Sequence, residues 1–504
     1  MTSLIDAESF LVVDVGSITT RAILFDVVDR RYRFIASGVA PTTAGAPYHN
    51  ISEGVRWALD HLRQVTGRTF VGSDEQLIMP TSSDGSGIDK FAATISVGEP
   101  LKVVIVGLLE DISLESARHL AATSYTKVVQ QISLNDHRKA DTRLNTILRL
   151  RPDLIIAAGG IENGASQSVL KLLEAVGLAG YLQPDRQRLE LLFAGNQVIR
   201  PEIQSTCENT MNLHFAPNIR PTLDQEQLDA ARAELARNYC QVCSQQIPGV
   251  VELNTWARGG LVPGATAFGR VIRFLSKELT TQKGVLGVNL GASAAVIASA
   301  NNGDLSLGVF PQFGLGTGLV DMLDQVPMRE ILRWLTIDLT GDDLKNYVYN
   351  KALYPASVPV RPEEMAIEQA LARQAIYNAA RLAMRGFPAQ AVTPGDGLLP
   401  WYEAIVSTGS ILAESPSLAH AALIILDGLQ PCGVTTLVLD QNQIAPALGA
   451  AAAVNPVLVV QVLESNSFLH LGTVIAPVGQ ARAGSPILRL KMTYESGHVA
   501  SLEV

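Results

Sequence analysis

Cysteine is scarce in this 504-residue chain: Cys207, Cys240, Cys243 and Cys432 are the only four, too few for a disulfide framework in a chain of this size. Charge is sparse as well. Charged residues make up 17% against 47% hydrophobic ones, a balance that excludes intrinsic disorder. The 39 basic and 48 acidic residues give a net charge of −9 with no basic tract, which argues against a sequence-independent nucleic-acid binder. Long apolar runs are missing too. The most apolar stretch, residues 445–463, is broken at Asn455-Pro456, so no membrane span is expected. The opening MTSLIDAESF has no basic region followed by an apolar core, and a soluble, cytoplasmic protein is the expectation. The thin polar coat points to much internal domain contact or to a homo-oligomer.

What is present is organised. Three apolar runs, residues 10–15, 21–28 and 32–39, are separated by tight connections and predict a β-meander. A helix is predicted over residues 52–66, with Val55, Leu59, Leu62 and Val65 on one face and Ser52 as its N-cap. A strand over 76–79 ends at Pro80. From Leu101 the pattern changes to near-continuous apolar strands alternating with helices: LKVVIVGLL, TKVVQQIS, DLIIAAGG, and LELLFAG closing the series. That alternation predicts a parallel, doubly covered α/β unit inserted over 101–197. Residues 285–290, 294–300 and 305–310 then repeat the opening meander, with Gly291 lying 275 residues after Gly16. The expected division is 1–100 as part of a first lobe, 101–197 as the insertion, 198–283 as the return with connecting helices, 284–470 as a second lobe, and 471–504 as a β-rich end. A hairpin is predicted around Glu495-Ser496-Gly497.

The segment VVDVGSITTRAILFD ends one strand on an acid, turns on a glycine and enters the next strand with hydroxyls. That arrangement suits a nucleotide phosphate: Gly16 lets the backbone approach, and turn N–H groups with Ser17, Thr19 or Thr20 can bond phosphate oxygens. Asp14 would hold Mg²⁺, through water. An ordinary hairpin also uses a glycine in its turn. The second copy at 287–295 and VSTGS at 406–410, after a later strand, favour the phosphate reading.

Asp14-Val15-Gly16-Ser17 with Thr19-Thr20 resembles the first phosphate motif of the actin, Hsp70 and sugar-kinase superfamily. VNLGASAAV resembles the second phosphate motif through Asn289, Gly291 and Ser293, and Ser407-Thr408-Gly409-Ser410 resembles the adenosine loop. Within that superfamily, GVRWALDHLRQVTGR, LKVVIVGLL, DLIIAAGGIENG, LLFAGN, LDGLQPCGVTTLVLD and ALGAAAAVNP are similar to the MutL (glutamate mutase L) family across almost the whole chain. The resemblance implies two actin-like (ribonuclease H-like) α/β lobes around a nucleotide cleft that takes ATP and Mg²⁺. It also implies a helper of a cobalamin-dependent mutase rather than a catalyst. The second motif departs from the family pattern over positions 289–296: its acid has become the amide Asn289, both threonines have become alanines, and only Ser293 keeps a hydroxyl. ATP binding without efficient hydrolysis, at most a weak ATPase, is the expectation, with a kept structural scaffold as the other reading.

Two alternatives remain at this point. One is a small-molecule kinase of the same superfamily, with Asp84 or Asp89 as the loop acid available for a general base. The other is a self-assembling structural protein. Cys240 and Cys243, one turn apart near a helix end, read as small apolar packing residues because no second CxxC accompanies them. Asn163-Gly164 reads as a turn at the carboxyl end of a parallel strand, where α/β sheets often bind ligands. PQFGLGTGL (311–319) reads as glycine-rich packing near the cleft.

Overall fold

The computed structural model describes residues 8–182, 188–279, 283–388, 391–482, 484–494 and 496–503. The opening runs form strands Phe10–Val15 (β1), Thr19–Val28 (β2) and Arg31–Pro41 (β3), paired antiparallel in sequence as a meander. Helix Ile51–Thr66 covers this sheet. Its N-cap is Asn50, which accepts from the Ser52 N–H, so Ser52 lies inside the helix, and Val65 is exposed. The strand expected over 76–79 is reduced to a single bridge between Val71 and Leu77. Lys90–Ile95 (β4) then returns parallel to β1, which places Thr94 beside Asp14.

Next comes the inserted unit. Leu101–Gly107 (β5), Thr126–Ser133 (β6), Leu154–Ala157 (β7), Leu189–Phe193 (β8) and Met211–Phe215 (β9) form one all-parallel sheet in the order β6-β5-β7-β8-β9. Counted within the unit this is the 2-1-3-4-5 order of a doubly wound sheet. Strands β7 and β8 are wholly buried, as expected where helices cover both faces. The series does not close at LELLFAG: β9 extends the sheet beyond residue 197, and its half-buried, polar-interrupted sequence MNLHF gives little apolar signal as an edge strand.

Helix Asp229–Gln246 leads back to the first lobe, where the two-residue strand Val262–Pro263 (β10) pairs parallel with β4. The completed first sheet has the order β10-β4-β1-β2-β3. Gly284–Leu290 (β11), Ala295–Asn301 (β12) and Asp304–Phe310 (β13) repeat the meander, and Tyr402–Thr408 (β14) and Gly433–Leu439 (β15) repeat the two parallel additions. The second sheet, β13-β12-β11-β14-β15, is therefore the first one copied, with Leu469–Ala476 (β16) added antiparallel at its edge. The second lobe thus runs past residue 470. These are the two actin-like, ribonuclease H-like lobes, and the molecule is α/β throughout apart from its end. There Arg489–Thr493 (β17) and Val499–Glu503 (β18) pair as the expected hairpin, although Glu495 in its turn lies outside the described residues.

Two helices cross between the lobes. Gly264–Glu278 leaves β10 of the first sheet yet packs on β11 and β12 of the second; Ala445–Ala451 leaves β15 of the second yet packs on β1 and β4 of the first. They meet at Gly449, where an added Cβ would stand 1.8 Å from the Ala267 carbonyl oxygen. A glycine is required there by contact alone. No helix among the described residues is long and apolar enough to cross a membrane.

Candidate functional site

β1 and β11 both end at the cleft between the lobes, and their turns are built alike. The Gly16 N–H donates to the Thr19 carbonyl at 3.0 Å, and the Gly291 N–H donates to the Ala294 carbonyl at 3.0 Å. The two turns line one cavity of about 430 Å³, together with Asp14, Ser96, Tyr125, Gly264, Asn289 and the loop after β14. The structure brings ten of the sequence-nominated residues to this cavity: Asp14, Gly16, Ser17, Thr19, Asn289, Gly291, Ser293, Thr408, Gly409 and Ser410.

Thr20 and Ser407 are not among them. Side chains alternate along a strand, so the neighbours of cleft-facing residues point into the lobes. The Thr20 hydroxyl is buried against that of Thr42 at 2.8 Å, and the Ser407 hydroxyl donates to the Val438 carbonyl at 2.9 Å. Asp84 and Asp89, the acids nominated for a kinase, lie elsewhere. Asp89 directly precedes β4, at the opposite end of the sheet from the cleft, and its carboxylate accepts from the Ser9 and Thr81 N–H groups. Asp84 accepts from Ser86 in an exposed loop.

Asp14 is the carboxylate at the hairpin end of the cavity. Thr94 donates to its Oδ1 at 2.5 Å, the sole hydrogen bond to this side chain among the described residues. Burial holds its carboxyl above the usual carboxylate range, outweighing the Thr94 bond and the charge of Arg21. A buried carboxylate with one partner is what a phosphate-borne Mg²⁺ needs, since Mg²⁺ is commonly held by one or two carboxylates plus substrate phosphates. Among the described residues no cluster of three or more His, Cys, Asp or Glu could hold an ion by itself.

The second lobe treats its acid differently. Strand register pairs Asp14 with Thr94 and, equivalently, Asn289 with Thr408. Thr408, however, donates to Asp440 at 3.0 Å, and Asp440 also accepts from the Ile444 and Ala445 N–H groups at 3.0 and 2.7 Å. Asp440 is fully buried at the start of the crossing helix Ala445–Ala451 and does not line the cavity, so it does not replace the acid absent at position 289. Burial raises its carboxyl too. The segment PQFGLGTGL supports this turn from behind: the Leu315 and Gly316 N–H groups donate to the Gly291 and Ala292 carbonyls at 3.0 Å. A Cβ on Gly314 would come within 2.5 Å of the Ala292 oxygen.

Beside the second turn Gly409 adopts φ +117°, and a Cβ there would stand 2.2 Å from the Leu290 carbonyl oxygen, a conformation and an approach that favour glycine. Ser410 donates to Gln443 Oε1 at 3.0 Å and accepts from the Arg21 guanidinium at 3.1 Å, a bridge from one lobe to the other. Lys351 and Glu368 form a buried pair at 2.6 Å on the same wall, with the Tyr347 hydroxyl donating to Glu368 at 2.9 Å. Arg21, Tyr125, Lys351, Glu368 and Gln443 were not nominated from sequence. Arg21 sits in the first motif and was open to the same strand reasoning; the others reach the cavity only through long-range packing.

The remaining candidates resolve as packing. Cys240 and Cys243 are buried free thiols, and burial pushes Cys243 up to about 12 and Cys240 higher still. Asn163, at φ +59°, and Gly164 close a turn in which the Gly164 N–H donates to the Ile161 carbonyl at 2.9 Å.

Among solved structures, nucleotide-free acetone carboxylase is similar over 88% of this chain and 70% of its own, at 12% identity and a TM-score of 0.35. The nucleotide-free diol dehydratase-reactivating factor is similar over 88% and 99%, at 9% identity and a TM-score of 0.34. Component A of the Acidaminococcus fermentans (R)-2-hydroxyglutaryl-CoA dehydratase is similar over 89% and 97%, at 9% identity and a TM-score of 0.29. No curated protein matches the chain. The model of the MutL protein family matches residues 10–467, which take in the first lobe, the inserted unit, both crossing helices and the second lobe up to β16, and the chain therefore belongs to the MutL (glutamate mutase L) family.

Proposed function

We propose that the interlobe cleft binds ATP with Mg²⁺, that turnover there is slow or absent, and that the protein serves as a helper of a cobalamin-dependent mutase of the glutamate mutase type. The observation that carries the nucleotide reading is the convergence of two turns, closed by the same glycine hydrogen bond, on one cavity with the loop at Gly409. Turn N–H groups and the Ser17 and Thr19 hydroxyls supply donors for phosphate oxygens. Met365 and Pro355, with the Gly409 backbone next to the second turn, supply an apolar wall for a base. Mg²⁺ bound with the phosphates would offset their charge, with Asp14 as its protein-side carboxylate.

Weak turnover follows from what faces the phosphate end. Asn289 cannot act as an anionic ligand or accept a proton at neutral pH. Glu368 is paired with Lys351, and Glu414 accepts from Gln443. Among the described residues no other carboxylate lines the cavity apart from Asp14, so no free base stands ready to activate water. The mutase partnership rests on family membership. The kinase alternative loses its nominated base, because Asp84 and Asp89 are remote from the cleft.

Melting the purified chain with ATP and Mg²⁺ tests the binding step: ligand at 100 times its dissociation constant adds about 2.7 kcal/mol. No shift at millimolar nucleotide overturns it. Phosphate release at the rate of an ordinary ATPase overturns the slow-turnover part. Failure of the chain to associate with a cobalamin-dependent mutase, with or without ATP, overturns the helper role.

A further inference from the structure

Tyr125 does not belong to either lobe. It immediately precedes β6 of the inserted unit, and its carbonyl accepts from the Leu101 N–H at 3.0 Å, which fastens it to β5. The residue is 5% exposed, and its ring lies 5.5 Å from the Tyr239 ring. Yet it lines the nucleotide cavity with Asp14, Ser96 and Gly264. The hydroxyl faces the Ser96 hydroxyl, just beyond β4, and the Ala265 N–H, in the first turn of the crossing helix Gly264–Glu278. A Cβ on Gly264 would stand 3.4 Å from it.

A buried tyrosine hydroxyl needs a polar partner, and here both partners sit where a phosphate would be received. The first turn of a helix presents unpaired N–H groups and a partial positive charge to an anion. We infer that Tyr125 donates a hydrogen bond to the terminal phosphate of the bound nucleotide, displaced from Ala265 by that phosphate, and thereby makes the inserted unit respond to the nucleotide's phosphorylation state. The inference rests on the nucleotide reading of the cleft. Burial and the Asp14 charge raise the phenol further above its usual value, so it stays protonated at neutral pH. It can donate but cannot serve as a base, and so it holds a phosphate without activating water. No covalent step is involved. The link is mechanical: a hydrogen bond from Tyr125 to the phosphate also tethers β6, the strand into which this residue leads.

Hydrogen–deuterium exchange on the full chain tests this, with Mg²⁺-ATP and Mg²⁺-ADP as the two probes. In the wild type, peptides covering residues 101–133 are expected to exchange more slowly with ATP than with ADP. In Tyr125→Phe, which keeps the ring and its stacking on Tyr239, that difference is expected to vanish. ATP affinity is expected to fall about three- to tenfold, the value of one hydrogen bond. Ser96→Ala keeps the tyrosine and is expected to retain the ATP–ADP difference. Wild type that melts identically with and without ATP removes the nucleotide reading and this inference together. Wild type that binds ATP, with the ATP–ADP difference unchanged in Tyr125→Phe, overturns this inference alone.

Discussion

Asn289 stands in the second lobe where Asp14 stands in the first: each is the penultimate residue of the first strand in its lobe, two residues before the glycine that closes the turn, and each is paired in register with a threonine. In the first lobe the threonine bonds the cleft acid; in the second it bonds Asp440, inside the lobe. The two copies therefore share a backbone, and only the first carries a carboxylate at this position.

Asp14→Asn is expected to separate stability from binding. The native carboxyl is raised by burial, so its proton is held more tightly folded than unfolded. The linked stability is complete below the unfolded value of 3.8 and is lost as pH rises through the raised native value. At pH 7 the ionised group therefore costs stability in the unliganded protein. The amide keeps an acceptor for Thr94 and removes that cost. Its melting temperature should exceed the wild type's at pH 7, with the gap closing as pH falls. Mg²⁺-ATP should bind more weakly by about 1–3 kcal/mol. A variant less stable than wild type at pH 7 contradicts the assignment.

Asn289→Asp restores the missing charge beside the second turn. The expected outcome is a stronger Mg²⁺ dependence of ATP binding and faster phosphate release than wild type, read by titration at fixed ATP and by a phosphate-release assay. The unliganded variant should melt lower at neutral pH, because a carboxylate at position 289 then shares the turn side of the cavity with Asp14. Unchanged Mg²⁺ dependence would place position 289 out of reach of the ion.

Gly449→Ala tests the helix crossing. Alanine in a helix gains about 1 kcal/mol over glycine, whereas overpacking costs about 1–3 kcal/mol. Here the clash is with backbone, 1.8 Å from the Ala267 oxygen, so the loss should win. Chemical denaturation should show net destabilisation. A neutral or stabilising result means the helices separate at little cost.

Lys351→Ala breaks a pair whose side chains are 10% and 12% exposed. Removing one partner of a buried ion pair typically costs about 3–5 kcal/mol, because the other charge is stranded. Glu368 keeps only the Tyr347 hydroxyl. Lys351→Ala combined with Glu368→Gln should recover part of the loss, measured by urea unfolding. If the double variant is no more stable than the single one, the pair is not what holds this wall.

Much of the fold was legible because it rests on local pattern. The two meanders, the alternation in the inserted unit and the glycines at 16, 291 and 409 are written in residues adjacent in the chain, where strand period and turn chemistry act. So were the two Asp/Asn-to-Gly spacings that mark the turns. β9 was missed because an edge strand buries little and carries a weak apolar signal, and Thr20 and Ser407 were misplaced because a motif names residues without saying which face each takes. What the sequence determined by itself is the pair of glycine-closed turns and the amide that stands in place of an acid beside one of them. The tertiary structure alone decided that Asp440 is withdrawn from the cleft, that Lys351 and Glu368 form its wall, and that Tyr125 reaches it from the inserted unit. Those placements depend on packing between segments tens to hundreds of residues apart, and no local preference encodes such a contact.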